Sequence, residues 1–259
     1  MAKYVLRSKY HNTQNDWVNV YKNIASYVSR GEVEEKINKT IEKIREVIKD
    51  KNVAYAWSGG KDSLVLQIIM EKMGINKGIA AISKELEYPS FLKFFYEHLP
   101  AGMEVKDMPV EFEYLKEHPE LIFPEGSYNS DKWDKMIHLK AQNNFVKENN
   151  IDILIMGRRT QDGNFVGKDN IYSRKDGVSI YSPLADWKHE DILATLYYYN
   201  LKLPEIYFMA DGFNLGTHNV FARMGDKREC LEEIYKHDKS IWEKLSLHFD
   251  FLKEFLNEK

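Results

Sequence analysis

Short β-prone apolar runs recur along this chain, most of them followed by a segment of helical spacing, and that alternation narrows the fold more than any other feature. The runs are "NVAYAW" (52–57), "KGIAAIS" (77–83), "MEVKDMPV" (103–110), "IDILIMG" (151–157) and "GVSIYSPL" (177–184). Between and after them, helices are predicted from Asp62 to Met73 with Gly74 as the C-cap, over "PSFLKFFYEHL" opened by Pro89, from Trp133 to Asn149, and over "KHEDILATLYYYN". Strands that alternate with helices are joined by crossovers, right-handed by default, so they pair in parallel. The expected fold class is α/β, an open, mostly parallel twisted sheet with helices on both faces.

Both ends fall outside this pattern. Residues 1–50 are polar and helical, with Val33, Ile37, Ile41, Ile44 and Ile48 on one apolar stripe, and read as an N-terminal helical extension. Residues 51–200 form the sheet domain. Residues 201–259 form a mostly helical segment packing on it, ending in one amphipathic helix over "DKSIWEKLSLHFDFLKEFLNE".

A chain of 259 residues, 43% hydrophobic, can bury one sizeable core. The net charge of −3 supplies no general attraction to nucleic acid or membrane, and no apolar stretch is long enough to span a bilayer. The first residues lack the apolar core of a secretory signal. A single cysteine, Cys230, cannot form an intrachain disulfide, a multi-thiolate zinc site or an iron–sulfur site. The expectation is a cytoplasmic protein with neither zinc nor an iron–sulfur cluster.

Chemistry concentrates where the first strand meets the first sheet-domain helix, in "AWSGGKDSLVLQIIM" (56–70). Ser58, Gly59 and Gly60 lack bulk, so phosphate oxygens can approach the backbone amides at the positive end of a helix. Ser58 and Ser63 add hydroxyls, and Lys61 adds a charge if its side chain turns toward the ligand. Asp62 either caps the helix or holds a magnesium ion bridging phosphates. The stretch is no Walker loop, because Tyr55 stands where a glycine is required and Asp62 where Ser or Thr is required. A strand-to-helix turn with merely capping polar residues also fits the spacing.

The segment "SGGKDS" resembles the signature of the PP-loop ATP pyrophosphatase superfamily. Further stretches resemble its phosphoadenylylsulfate (PAPS) reductase-like branch: "LEYPSF" (86–91), "IMGRRTQDG" (155–163), "YSPLADWKHEDI" (181–192) and, more loosely, "ARMGDKREC" (222–230). Together they span about residues 50–230. The resemblance implies an adenine nucleotide with its phosphates on Ser58–Ser63, and a loop after Gly157 reaching over the phosphates or a second substrate. This chain departs from the branch in lacking the C-terminal glutamate-cysteine-glycine-histidine motif: Cys230 follows Glu229 but precedes Leu231. Ser90 also replaces an acidic residue of the branch.

The longest polar stretch, Gly157 to Gly177, holds Arg158, Arg159, Lys168, Arg174 and Lys175. Arginines suit two-pronged grip on phosphate, sulfate or carboxylate, so Arg158 and Arg159, then Arg174, are the anion-binding candidates. His218, Arg223 and Arg228 are cleft-facing candidates from the C-terminal segment. His138 reads as a surface or capping residue, and Trp187 and Tyr197–Tyr199 as core and rim.

The leading expectation is an enzyme that binds ATP and magnesium, cleaves between the α- and β-phosphates, and adenylylates a small-molecule second substrate with release of pyrophosphate. Lys61, Asp62, Arg158 and Arg159 would be catalytic. Ser58, Gly59, Gly60, Lys61, Asp62, Ser63, Gly157, Arg158 and Arg174 would bind nucleotide, and Asp62 would hold the metal. One alternative is reductase- or sulfotransferase-like action on an adenosine phosphosulfate. Another is a non-catalytic nucleotide-binding subunit of a nucleic-acid modification complex, with nucleic acid reached only through a partner. A homo-oligomer is compatible with either.

Overall fold

The computed structural model describes residues 4–257. Its sheet comprises β1 (Val53–Ala56), β2 (Gly78–Ile82), β3 (Met103–Asp107), β4 (Ile153–Ile155), β5 (Ile171–Ser173) and β6 (Ser179–Tyr181), in the spatial order β3-β2-β1-β4-β6-β5. All neighbours are parallel except β5 and β6, so the fold is the open, mostly parallel α/β sheet that the alternation implies. The chain winds outward from β1 through β2 to β3, then returns so that β4 pairs with the other side of β1, with Val53 opposite Ile153. That reversal opens a crevice at the carboxyl ends of β1 and β4, where ligands of such sheets collect.

The Lys61–Met73 helix runs from β1 with Leu64, Val65, Leu66, Ile68, Ile69 and Met70 all buried, and stops at Gly74, whose φ of 71° fits the left-handed closing turn. Against it pack the Arg30–Val47 helix and the His189–Tyr198 helix. The former is started by a capping box between Ser29 and Glu32 and buries Val33, Ile37, Thr40, Ile41 and Ile44; Ile48 falls at its C-cap. The N-terminal helices thus pack on helices of the sheet domain.

Three elements differ from expectation. The helix foreseen from Trp133 begins six residues earlier, at Ser127, and runs to Glu148 through a π-helical turn over Lys135–Leu139. The terminal helix is broken into Lys239–Ser246 and Asp250–Asn257, because the chain turns at Leu247 to bury Phe249 against Phe112 and Phe221. The polar stretch after β4 is not one loop. It contains β5, which folds back on β6 through a hairpin turn where the Gly177 amide donates to the Arg174 carbonyl.

Candidate functional site

At the end of β1 the backbone must leave a strand and enter a helix within four residues. Gly59 takes φ +71°, a conformation that side chains disfavour, and the turn is braced by its own serines. The Ser58 amide donates to Ser63 Oγ at 3.2 Å, and Ser63 Oγ donates to the Gly60 carbonyl at 2.9 Å. Gly60 is the N-cap and offers no side chain, so Asp62 does not cap the helix. The Lys61 amide donates to the Tyr207 hydroxyl at 2.9 Å. The amides of Gly59, Asp62 and Ser63 have no protein partner among the described residues. A braced turn with open amides at a helix start is the ordinary physical form of an anion site.

The turn borders a cleft of about 510 Å³. Ser58, Asp62 and Ser63 line one side, with Gly157, Arg158, Asp162 and Asn164 from the loop after β4. A Cβ at Gly157 would lie 3.2 Å from the Asp62 carbonyl, so glycine lets this loop approach the phosphate turn closely. The C-terminal segment contributes Thr217, His218 and Asn219, and the π-helical turn contributes Ile137 and His138.

Beneath the cleft lies a buried ionic cluster. Arg159, fully inaccessible, donates from Nε to Asp62 Oδ1 at 2.7 Å, pairs through Nη2 with Asp162 at 2.7 Å, and also reaches His189 Nδ1 and the Trp187 carbonyl. Lys61 Nζ pairs with Asp62 Oδ2 at 2.5 Å and lies 3.6 Å from Asp162. Burial opposes ionisation of Asp62, but Arg159 and then Lys61 outweigh it and hold the carboxyl well below the usual range. Burial, and next the Arg159 charge, push His189 down to about 2, so its imidazole is neutral and Nδ1 accepts a hydrogen bond from the Arg159 guanidinium.

The structure therefore gathers Ser58, Gly59, Gly60, Lys61, Asp62, Ser63, Gly157, Arg158 and Arg159 at one place, but sorts them differently from the sequence reading. Arg158 lines the cleft, its Nη1 donating to the Tyr172 hydroxyl at 3.0 Å. Lys61 and Arg159 point below it, into the cluster. Arg174 sits in the β5–β6 hairpin, paired with Asp176 and away from the cleft lining. His138 faces the cleft rather than the surface, because the π-helical turn directs it there. His218 also lines it, whereas Arg223 is buried against the Ala210 carbonyl and Arg228 is an outer partner of Glu232.

Several lining or supporting residues carried little sequence signal. Asp162 stands three residues after Arg159, a pairable spacing that hints at their bridge. Tyr207 reaches the phosphate turn from 146 residues away, and Lys9 reaches the cleft from the N-terminal segment. Glu87 lines the cleft with Oε2 unpaired, and burial pushes its carboxyl up to about 8.

An open α/β sheet with a small-residue turn beside its switch point is the architecture on which nucleotide sites are commonly built. A sequence model of the phosphoadenosine phosphosulfate reductase domain family matches residues 52–231. The chain belongs to that family. No curated protein sequence matches it. Among solved structures it is similar to the phosphate complex of PAPS reductase from Candida auris, at 18% identity over 69% of this chain and 90% of that one, with a TM-score of 0.48. It is similar also to NMN synthetase from Francisella tularensis (14%, 86% and 95%, 0.48). NH3-dependent NAD synthetase from Campylobacter jejuni, in complex with nitrate, gives 13%, 86% and 96%, and 0.46.

Proposed function

We propose that this protein is an ATP-using enzyme that cleaves between the α- and β-phosphates and transfers the adenylyl group to a small acceptor. The supporting observation is the set of unpartnered amides at Gly59, Asp62 and Ser63, opening on a cleft with room for a nucleotide and more. An acceptor oxygen attacks the α-phosphorus, the bond to the bridging oxygen breaks, and pyrophosphate leaves with that oxygen's electron pair. The turn's amides and Arg158 meet the charge that builds on the leaving group, fixed before reaction and therefore effective.

The chain's own side chains handle the acceptor. His218 Nδ1 donates to the Gly216 carbonyl at 2.8 Å, which fixes the tautomer and leaves Nε2 buried in the cleft wall with no partner among the described residues. Burial pushes its pKa down to about 4, so the ring is neutral at pH 7 and accepts a hydrogen bond from an acceptor O–H.

The donor set fits a magnesium ion that arrives with the nucleotide better than one held by a protein cage. Asp62 is an ionised carboxylate on the cleft beside the turn, its oxygens are shared with Arg159 and Lys61, and no group of three ligating side chains exists among the described residues. Such an ion supplies neutralisation of phosphate charge; Asp62 would be its one protein ligand.

Thiol-driven reduction finds less support. Cys230 is 1% exposed, and burial pushes its thiol up, against what a nucleophile requires. The discriminating assay is substrate-dependent exchange of labelled pyrophosphate into ATP, in wild type and Cys230→Ser. Exchange unaffected by the substitution supports adenylyl transfer. Adenosine phosphosulfate turnover abolished by it would favour the reductase-like alternative.

A further inference from the structure

We propose that the lysine that binds the nucleotide's phosphates is Lys9, from the N-terminal segment, and that Lys61 of the phosphate turn is a structural counter-ion. The inference rests on the reading of the cleft as a polyphosphate site. Its starting point is a charge balance. Lys61 and Arg159 face Asp62 and Asp162 at salt-bridge distance, so these four side chains sum to zero, and the neutral His189 adds nothing. A triphosphate entering the cleft gains little from charges already neutralised at their own contacts. Two cations line the cleft without a carboxylate within 4 Å among the described residues: Arg158, whose Nη1 meets the neutral Tyr172 hydroxyl, and Lys9.

Lys9 Nζ lies 3.9 Å from where a Cβ on Gly216 would sit, beside the Thr217–Asn219 wall of the cleft. It senses Lys61, Asp162, Asp62 and Arg159 without contacting any of them, and it carries no hydrogen bond to a described residue. A half-buried ammonium is costly unless a partner compensates it. The chain nevertheless builds a frame to keep it there.

That frame comes from three parts of the molecule. The Val5 and Leu6 amides both donate to Glu190 Oε1 at 2.7 Å, and Gln161 Nε2 donates to the Leu6 carbonyl at 3.1 Å. Buried Asn12 donates to the carbonyls of Arg7, Ser8 and Lys9, and accepts from the Arg7 amide at 2.8 Å. Asn214 Nδ2 donates to the Asn12 carbonyl at 2.8 Å. The N-terminal segment is therefore a pinned strap across the cleft edge, and an anionic phosphate group is the ligand that neutralises an ammonium lying 5.5 Å from the Tyr10 ring centroid and, among the described residues, without a carboxylate or hydrogen-bond partner.

The test is calorimetric titration of wild type, Lys9→Met, Lys9→Arg and Lys61→Met with inorganic pyrophosphate, an ATP analogue non-cleavable between the α- and β-phosphates, and adenosine. Lys9→Met is expected to weaken pyrophosphate and analogue about ten- to a hundredfold, the effect of one charge-assisted contact, while leaving adenosine unchanged. Lys9→Arg should retain binding within about threefold. Analogue and pyrophosphate affinity unaltered in Lys9→Met would overturn the proposal, as would an equal loss of adenosine affinity. Wild type that binds none of the three probes would remove the cleft reading itself, which separates the two failures.

Discussion

Two adjacent arginines, Arg158 and Arg159, have opposite fates because the chain after β4 points successive side chains to opposite sides. Arg158 reaches the cleft, and Arg159 is the centre of a buried network with Asp62, Asp162 and His189. Arg158→Ala should weaken ATP-analogue affinity with little change in melting temperature. Arg159→Met should leave two buried carboxylates short of a partner and destabilise by about 3–5 kcal/mol, read by denaturant unfolding. Asp62→Ala confounds both roles, since it also removes one of the two carboxylate partners of Arg159; Asp62→Asn keeps the shape and tests the charge. Glu87 gives a pH signature. Its folded pKa, raised by burial to about 8, exceeds the unfolded value near 4.5, so the folded state holds the proton more tightly. The stability it contributes is present below about pH 4.5 and is lost as pH rises to about 8. Glu87→Gln should therefore raise the melting temperature more at pH 8 than at pH 5, and an equal rise at both would refute this.

At the scale of elements, most of the fold was legible. The apolar runs around β1, β2, β3, β4 and β6 and the intervening helical spacings carry their own periodicity; the strands inside the sheet bury, while β3, at the edge, is half-buried. β5 escaped notice because it has only three residues on the sheet edge, half-buried or exposed, although the Asp176-Gly177 turn ahead of β6 marks a hairpin. The phosphate turn was legible as a stretch of chain, but not the direction of Lys61, which depends on Asp162 a hundred residues on. Lys9, Tyr207 and Thr217 were not legible as site residues, since tertiary packing alone brings them there. The turn itself makes a clear prediction. A Cβ at Gly59 meets only ordinary contacts with Phe91 and Trp57, at 3.5 Å, so Gly59→Ala suffers chiefly from the positive φ. The cost should be about 1–2 kcal/mol, with nucleotide affinity falling further than stability if the turn distorts.

For the whole molecule, the cleft is assembled from distant parts: the N-terminal strap, the sheet's switch point, the π-helical turn and the C-terminal segment. With a neutral ionic cluster packed under the turn, a bound anion would be met by backbone dipoles, Arg158 and Lys9 under the proposal above. Burial, then Lys61, lowers Lys9 to about 8, so phosphate affinity should decline as pH rises through that value and the ammonium is lost. Lys9→Arg should remove the decline, which titration across pH 6.5–9 would read.

We propose that the turn from Ser58 to Ser63 holds the polyphosphate of an adenine nucleotide. A crystal structure of the complex with an ATP analogue non-cleavable between the α- and β-phosphates tests it most directly. Phosphate oxygens are expected within hydrogen-bond distance of the Gly59, Asp62 and Ser63 amides, with the adenosine in the cleft. Phosphates bound elsewhere, or an empty cleft at saturating analogue, would contradict it.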